Sequence, residues 1–187
     1  MDTTQLLILV VAVVVLAVLA YLVVQRQRSE GLRKQFGPEY DQAVRQHGDA
    51  RRAEAELAAR QKRVEALNIR PLAPEERDRF AEAWRSTQAH FVDNPAAAIT
   101  EADQLVNQVM QARGYPVGDF EQRAADISVD HPQVVTNYRA ARAIAQANRA
   151  GKAGTEELRQ ALVHYRGLFE DLLRAEEPQP DRKEVVR

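Results

Sequence analysis

Four histidines and a scatter of aspartates are the side chains of this chain best able to bind a metal or move a proton near neutral pH. Dimetal-carboxylate bundles use Glu-x-x-His on paired helices. Here the residues three before His47, His90, His131 and His164 are Val44, Thr87, Ser128 and Ala161, so that motif is missing. A looser grouping joins Asp126, Asp130 and His131 around the turn from Ile127 to Pro132, and it offers carboxylate oxygens and an imidazole. His90 and Asp93 form a second pair, three apart at a helix end. Both groups have ordinary structural uses, because Asp or His before proline caps a helix and His in a last turn suits the helix dipole. The sequence therefore predicts no metal and no cofactor. Asp126, Asp130 and His131 stay as the ligands of an alternative reading, in which loops 115–132 hold a metal or small ligand.

Other routes to chemistry lack a foothold. The chain has no cysteine, which removes disulfides, thiolate nucleophiles and every Cys-ligated metal site. It has no Gly-rich phosphate loop, no G-x-S-x-G elbow and no His-Glu-x-x-His pair. An enzyme is not expected. Nucleic-acid binding is not expected either, since it calls for a basic surface and residues 73–173 hold eleven Lys or Arg against fifteen Asp or Glu, a balance of −4. Arg139, Arg142, Arg149 and Arg159 read as solvated helix faces rather than a basic patch.

What would position these residues is a set of helices, because nothing in the chain alternates like a strand. Arg70-Pro71-Leu72-Ala73-Pro74 marks the clearest boundary, as the two prolines hold the residues before them extended. Beyond it, Phe80, Trp84, Thr87 and Phe91 make an aromatic stripe at helical spacing. Asn94-Pro95 opens a helix with Ile99, Ala102, Leu105, Val106, Val109 and Met110 inward, and Gly114 closes it. Asp119 and Gln122 resemble a capping box for a short helix carrying Phe120, Ala124 and Ile127. A further helix starts at Pro132 and buries Val134, Val135, Tyr138, Ala141, Ile144 and Ala145. Thr155 is read as the cap of the last, which carries Leu158, Ala161, Leu162, Tyr165, Leu168, Phe169, Leu172 and Leu173. Residues 72–174 thus form an all-α bundle of about five helices with its eight aromatics as core. Residues 175–187 lack apolar content and read as a disordered tail.

Residues 25–71 form a charged helical connector with eleven Lys or Arg against seven Asp or Glu, a balance of +4. Leu32, Phe36, Tyr40 and Val44 recur every four residues, but Gly37-Pro38 breaks the run and Gly48-Asp49 breaks it again. A helix from Ala50 to Leu67 follows. Ala53, Leu57, Val64 and Leu67 fit a heptad seam with Arg60 at the intervening position, so a homo-oligomer through residues 50–67 is one option and an amphipathic helix packed on its own domain is the other.

The N-terminal residues 1–24 are of another kind. From Leu6 to Val24 nineteen residues carry no charged, amide or aliphatic hydroxyl side chain, and as a helix they span roughly 28 Å. A secretory signal would show a basic leader, a shorter apolar run and a small-x-small cleavage site. Met1 to Gln5 holds no Lys or Arg, and Ala17 and Ala20 have the wrong spacing. The segment reads as a retained transmembrane anchor. Arg26, Arg28, Arg33 and Lys34 all lie on its C-terminal side, which predicts that the body stays in the cytoplasm with the N-terminus outside, and that these residues contact the membrane surface.

The wording of the head also resembles a known group. Arg70-Pro-Leu-Ala-Pro-Glu-Glu-Arg, Phe91-Val-Asp-Asn-Pro, Arg113-Gly-Tyr-Pro-Val-Gly-Asp-Phe-Glu and Arg123-Ala-Ala-Asp-Ile-Ser-Val-Asp-His-Pro resemble a set of uncharacterised bacterial proteins with one N-terminal span, over most of the chain after Ser29. The resemblance implies a bacterial inner-membrane protein and carries no activity or site residue with it. With no chemistry to place, the reading is a membrane-tethered adaptor whose partners are the lipid bilayer and a protein of unknown identity.

Overall fold

The computed structural model describes residues 3–174, with side chains from Val11 onward. The tail expected to be disordered lies outside the described residues. Among the described residues eight helices follow one another: α1 Thr3–Phe36, α2 Pro38–His47, α3 Ala50–Glu65, α4 Pro74–Asp93, α5 Pro95–Arg113, α6 Phe120–Asp130, α7 Pro132–Arg149 and α8 Thr155–Leu173. No strand occurs among the described residues, and the all-α class is that expected.

Proline sets the starts. α2, α4, α5 and α7 each begin on one, where the missing N–H has no partner to lose and φ is already helical. Asn94 caps α5 as expected, its Oδ1 accepting from the Ala97 N–H at 3.1 Å. Asp119 caps α6 by accepting from the Gln122 N–H at 3.0 Å.

Three caps differ from expectation. His131 precedes α7 without a side-chain cap hydrogen bond. Gln122 does not close its box; its Nε2 donates instead to both oxygens of Asp126, at 2.9 and 3.1 Å, because a buried carboxylate needs donors and draws the side chain toward itself. Thr155 is the first residue of α8 rather than its cap. Gly154 occupies the cap position, and Glu157 reaches back to accept its N–H at 2.8 Å.

Two compact units divide the chain at residues 58 and 59, inside α3. In the first, α1 does not end with its apolar run but continues to Phe36. The chain then breaks at Gly37 and again at Gly48, both with positive φ. One carboxylate gathers the three helices: Glu54 of α3 accepts from Ser29 Oγ of α1 at 2.6 Å and from the Tyr40 hydroxyl of α2 at 2.8 Å. The Arg33 guanidinium lies 4.9 Å from the centre of the Tyr40 ring, and burial followed by the Glu54 carboxylate raises the Tyr40 phenol above its ordinary pKa. Among the described residues one helix is long and apolar enough to cross a membrane, and none of its apolar window is buried. Every residue from Val11 to Val24 is exposed.

In the second unit α4 packs on α5, α5 on α8, α8 on α7 and α7 on α6. The core between them contains Phe80, Trp84, Val106, Ile127, Tyr138, Tyr165, Leu168 and Phe169. Of the eight aromatics expected inside, Phe91 and Phe120 are half-buried and the other six are buried. Gly114 ends α5 with φ +97°, and a Cβ there would stand 2.4 Å from the carbonyl oxygen of Asn68. Arg70 donates its N–H to the Arg113 carbonyl at 2.9 Å, which ties the residues before α4 to the end of α5.

The heptad-like side of α3 is covered within the single chain. Ala53, Leu57, Arg60 and Val64 are buried and Leu67 is half-buried.

Candidate functional site

The residues singled out for metal or acid–base chemistry are each engaged separately. Asp126 is fully buried on α6 and holds Arg63, whose Nε and Nη2 both lie 2.8 Å from Oδ1. Asp130, the last residue of α6, accepts from the Tyr115 hydroxyl at 2.8 Å. His131 sits between two other partners, with Nδ1 2.6 Å from Asp171 Oδ2 and Nε2 3.3 Å from Arg113 Nη1. A guanidinium only donates, so Nε2 is the acceptor and Nδ1 carries the hydrogen given to Asp171. That hydrogen bond holds the Asp171 carboxyl below its usual range. Arg113 also donates to the Leu172 carbonyl at 3.2 Å. Neighbours in sequence, these three side chains fasten α6 and its flanks to α3, to the 115 loop and to α8. Among the described residues no group of three or more His, Asp or Glu side chains is gathered closely enough to hold a metal ion. His90 pairs with Glu101 at 2.9 Å rather than with Asp93.

A buried node that sequence reading passed over stands at Asp103. It lies on the inward side of α5, between Ile99 and Val106, which places a carboxylate in an apolar stripe. Its Oδ1 accepts from the Tyr165 hydroxyl at 2.9 Å, and its Oδ2 meets Arg142 at 2.7 Å and Arg149 at 2.8 Å. Burial, then the Asp103 charge, pushes the Tyr165 phenol far above its ordinary pKa. The node joins α5, α7 and α8. It corrects the expectation of solvated arginines for Arg142, which is mostly covered; Arg139 is also mostly covered and meets Glu121 at 2.8 Å, whereas Arg149 and Arg159 are exposed as expected, Arg159 pairing with Glu156 at 2.7 Å. The signal was present in the spacing, because an ionised residue on a buried stripe must find a countercharge.

Two grooves open on the head among the described residues. One of about 530 Å³ runs between α4 and α8. Its floor is the Trp84–Phe169 stack, ring centroids 4.8 Å apart and planes 20° from parallel, with Ala81 and Leu173 beside it. Its rim carries the exposed Asp78, Arg85, Glu170 and Arg174. A second groove of about 560 Å³ lies between α4 and α5, over Phe80, Ala83 and Leu105, and its polar lining is Arg79, Gln108 and Gln111. The chemistry such grooves offer is reception of apolar side chains, with charge only at the edges. Arg26, Arg28, Arg33 and Lys34 are all exposed on the continuous helix α1.

Comparison with known protein families, with curated proteins and with solved structures finds no match to this chain.

Proposed function

We propose that the chain is a membrane-tethered helical adaptor. In this reading α1 anchors it in the bacterial inner membrane with the N-terminus outside, and the helical head faces the cytoplasm and holds a protein partner. The observation that carries the reading is the apolar helix with no part of its apolar window buried, joined to a charged, folded head. Exposed runs of that length are stable in lipid, where a helix satisfies its own backbone groups, and not in water. The basic residues after the span favour the cytoplasmic side.

The partner's chemistry follows from the groove between α4 and α8. Its aromatic floor and mixed-charge rim match an amphipathic helix that places apolar anchors on Trp84 and Phe169. A photo-crosslinking residue at Ala81, in cells, tests this. The expected result is an adduct whose peptide maps to an amphipathic helical segment of one membrane-proximal protein, and which is lost in Leu173→Asp. Adducts spread over unrelated proteins, or none besides lipid, would remove the adaptor reading.

A further inference from the structure

We propose that the groove between α4 and α5 is a second binding site, and that it takes an acidic peptide segment of a partner protein, with an apolar side chain entering beside a carboxylate. The site goes beyond the groove between α4 and α8, with which it shares a helix but no lining residue. Nor does it depend on where α1 resides. Its floor is apolar, since Phe80 and Leu105 are buried and Ala83 and Ala112 half-buried beside an opening of about 560 Å³. Clefts that receive ligands commonly measure about 300 to 1,000 Å³.

The charge of its wall sets this groove apart. The α4–α8 groove carries both signs at its rim, whereas Arg79 is the one charged residue lining the α4–α5 groove. The Arg79 guanidinium lies 5.1 Å from the centre of the Phe80 ring, a contact that uses the face of the ring and none of the N–H groups. Among the described residues Arg79 makes no hydrogen bond and no ion pair. The α5 wall adds the exposed amides of Gln108 and Gln111, and the acids of that helix are engaged elsewhere, Glu101 with His90 and Asp103 with Arg142 and Arg149.

On α4 itself Glu76 is bound by Arg70 and Glu82 pairs with Arg85. Arg77 and Arg79 then balance Glu75 and Asp78 over the first turns of that helix, so no net field steers an anion here and recognition rests on direct contact. A carboxylate reaching Arg79 receives a charge-assisted, two-point hydrogen bond. The Gln108 and Gln111 amides, one turn apart on α5, each offer donors and an acceptor to the backbone of an extended peptide. An apolar side chain close to that carboxylate covers Phe80 and Leu105. A basic segment would set like charges together at Arg79, and an uncharged one would cover the guanidinium without a partner.

Two synthetic peptides test the site, acetyl-Leu-Glu-Glu-Leu-amide and its counterpart with glutamine in place of both glutamates. Each is titrated into the full chain in a non-ionic detergent while NMR follows the side-chain amides of Gln108 and Gln111. The expected result is that both amides shift and that the acidic peptide binds about fivefold more tightly than its counterpart. Arg79→Gln should erase that ratio, and since Arg79 is exposed the fold should survive the change. Leu173→Asp, which spoils the α4–α8 groove, should leave the ratio as it was. Equal affinity of the two peptides overturns the proposal, and so does a preference for the acidic one that survives Arg79→Gln. Amides of Gln108 and Gln111 unmoved by either peptide overturn it as well. Loss of the preference in Leu173→Asp would place the peptide in the α4–α8 groove instead, which removes this site and leaves the adaptor reading to its own crosslinking test at Ala81.

Discussion

Trp84 of α4 lies stacked on Phe169 of α8, and the pair closes the core while forming the floor of an open groove. Both rings are buried, so the same two residues hold the bundle together and define the surface on which a partner would rest. Trp84→Ala is expected to cost about 3 to 5 kcal/mol. Trp84→Phe, which keeps a ring on Phe169, should cost less than about 1.5 kcal/mol. Denaturant melts of the full chain in detergent check both values, and equal losses from the two variants would mean that stacking contributes little.

Asp103 tests whether the buried ionic node is structural. Asp103→Asn leaves Arg142 facing a neutral amide in a mostly covered site, and removal of one member of a buried pair costs about 3 kcal/mol or more. Arg149→Ala should cost about 1 kcal/mol or less, since that side chain is 47% exposed and water screens its charge. Melting of the two variants side by side gives the comparison, and a smaller loss for Asp103→Asn than for Arg149→Ala would contradict the assignment.

Gly114→Ala meets two obstacles at once. Its φ of +97° disfavours any Cβ, and the new methyl would press on the Asn68 backbone oxygen. The expected loss is about 1 to 3 kcal/mol, against about 0.5 kcal/mol for a typical exposed surface change. A thermal melt unchanged by the substitution would show that the end of α5 can relax freely.

Acid should weaken the entry to α4 in a predictable window. Glu76 receives a two-point bond from Arg70 at 2.8 and 2.9 Å and the Ala73 N–H at 3.0 Å, and these lower its pKa from the ordinary 4.5 to about 2. A depressed folded value means that the stabilisation is complete above 4.5 and is lost as the pH falls toward 2. Carbon-detected NMR titration should find the Glu76 midpoint well below 4.5 and find it moved upward in Arg70→Gln. A Glu76 midpoint at the ordinary value would contradict the pairing.

The sequence made the helices legible and hid most of what joins them. Pro38, Pro74, Pro95 and Pro132 mark helix starts because a proline ring fixes φ locally, and the apolar spacing of α5 and α8 shows which side faces inward. Periodicity names a face but not the helix it meets. The partners of Asp103 therefore lie 39, 46 and 62 residues away with no local sign of them, and Arg63 reaches Asp126 across 63 residues. Gln122 shows that a nearby demand also overrides a local motif, since its side chain goes to Asp126, four residues on in the same helix. Partners distant in sequence recur in the first unit, where Glu54 meets Ser29 across 25 residues.

A tethered role requires α1 to reside in a bilayer. Membranes from cells making the full-length chain, washed in alkaline carbonate, test this most directly. The account predicts that the intact protein stays with the pelleted membranes and leaves only with detergent. Full-length protein released into the supernatant by the wash would contradict it.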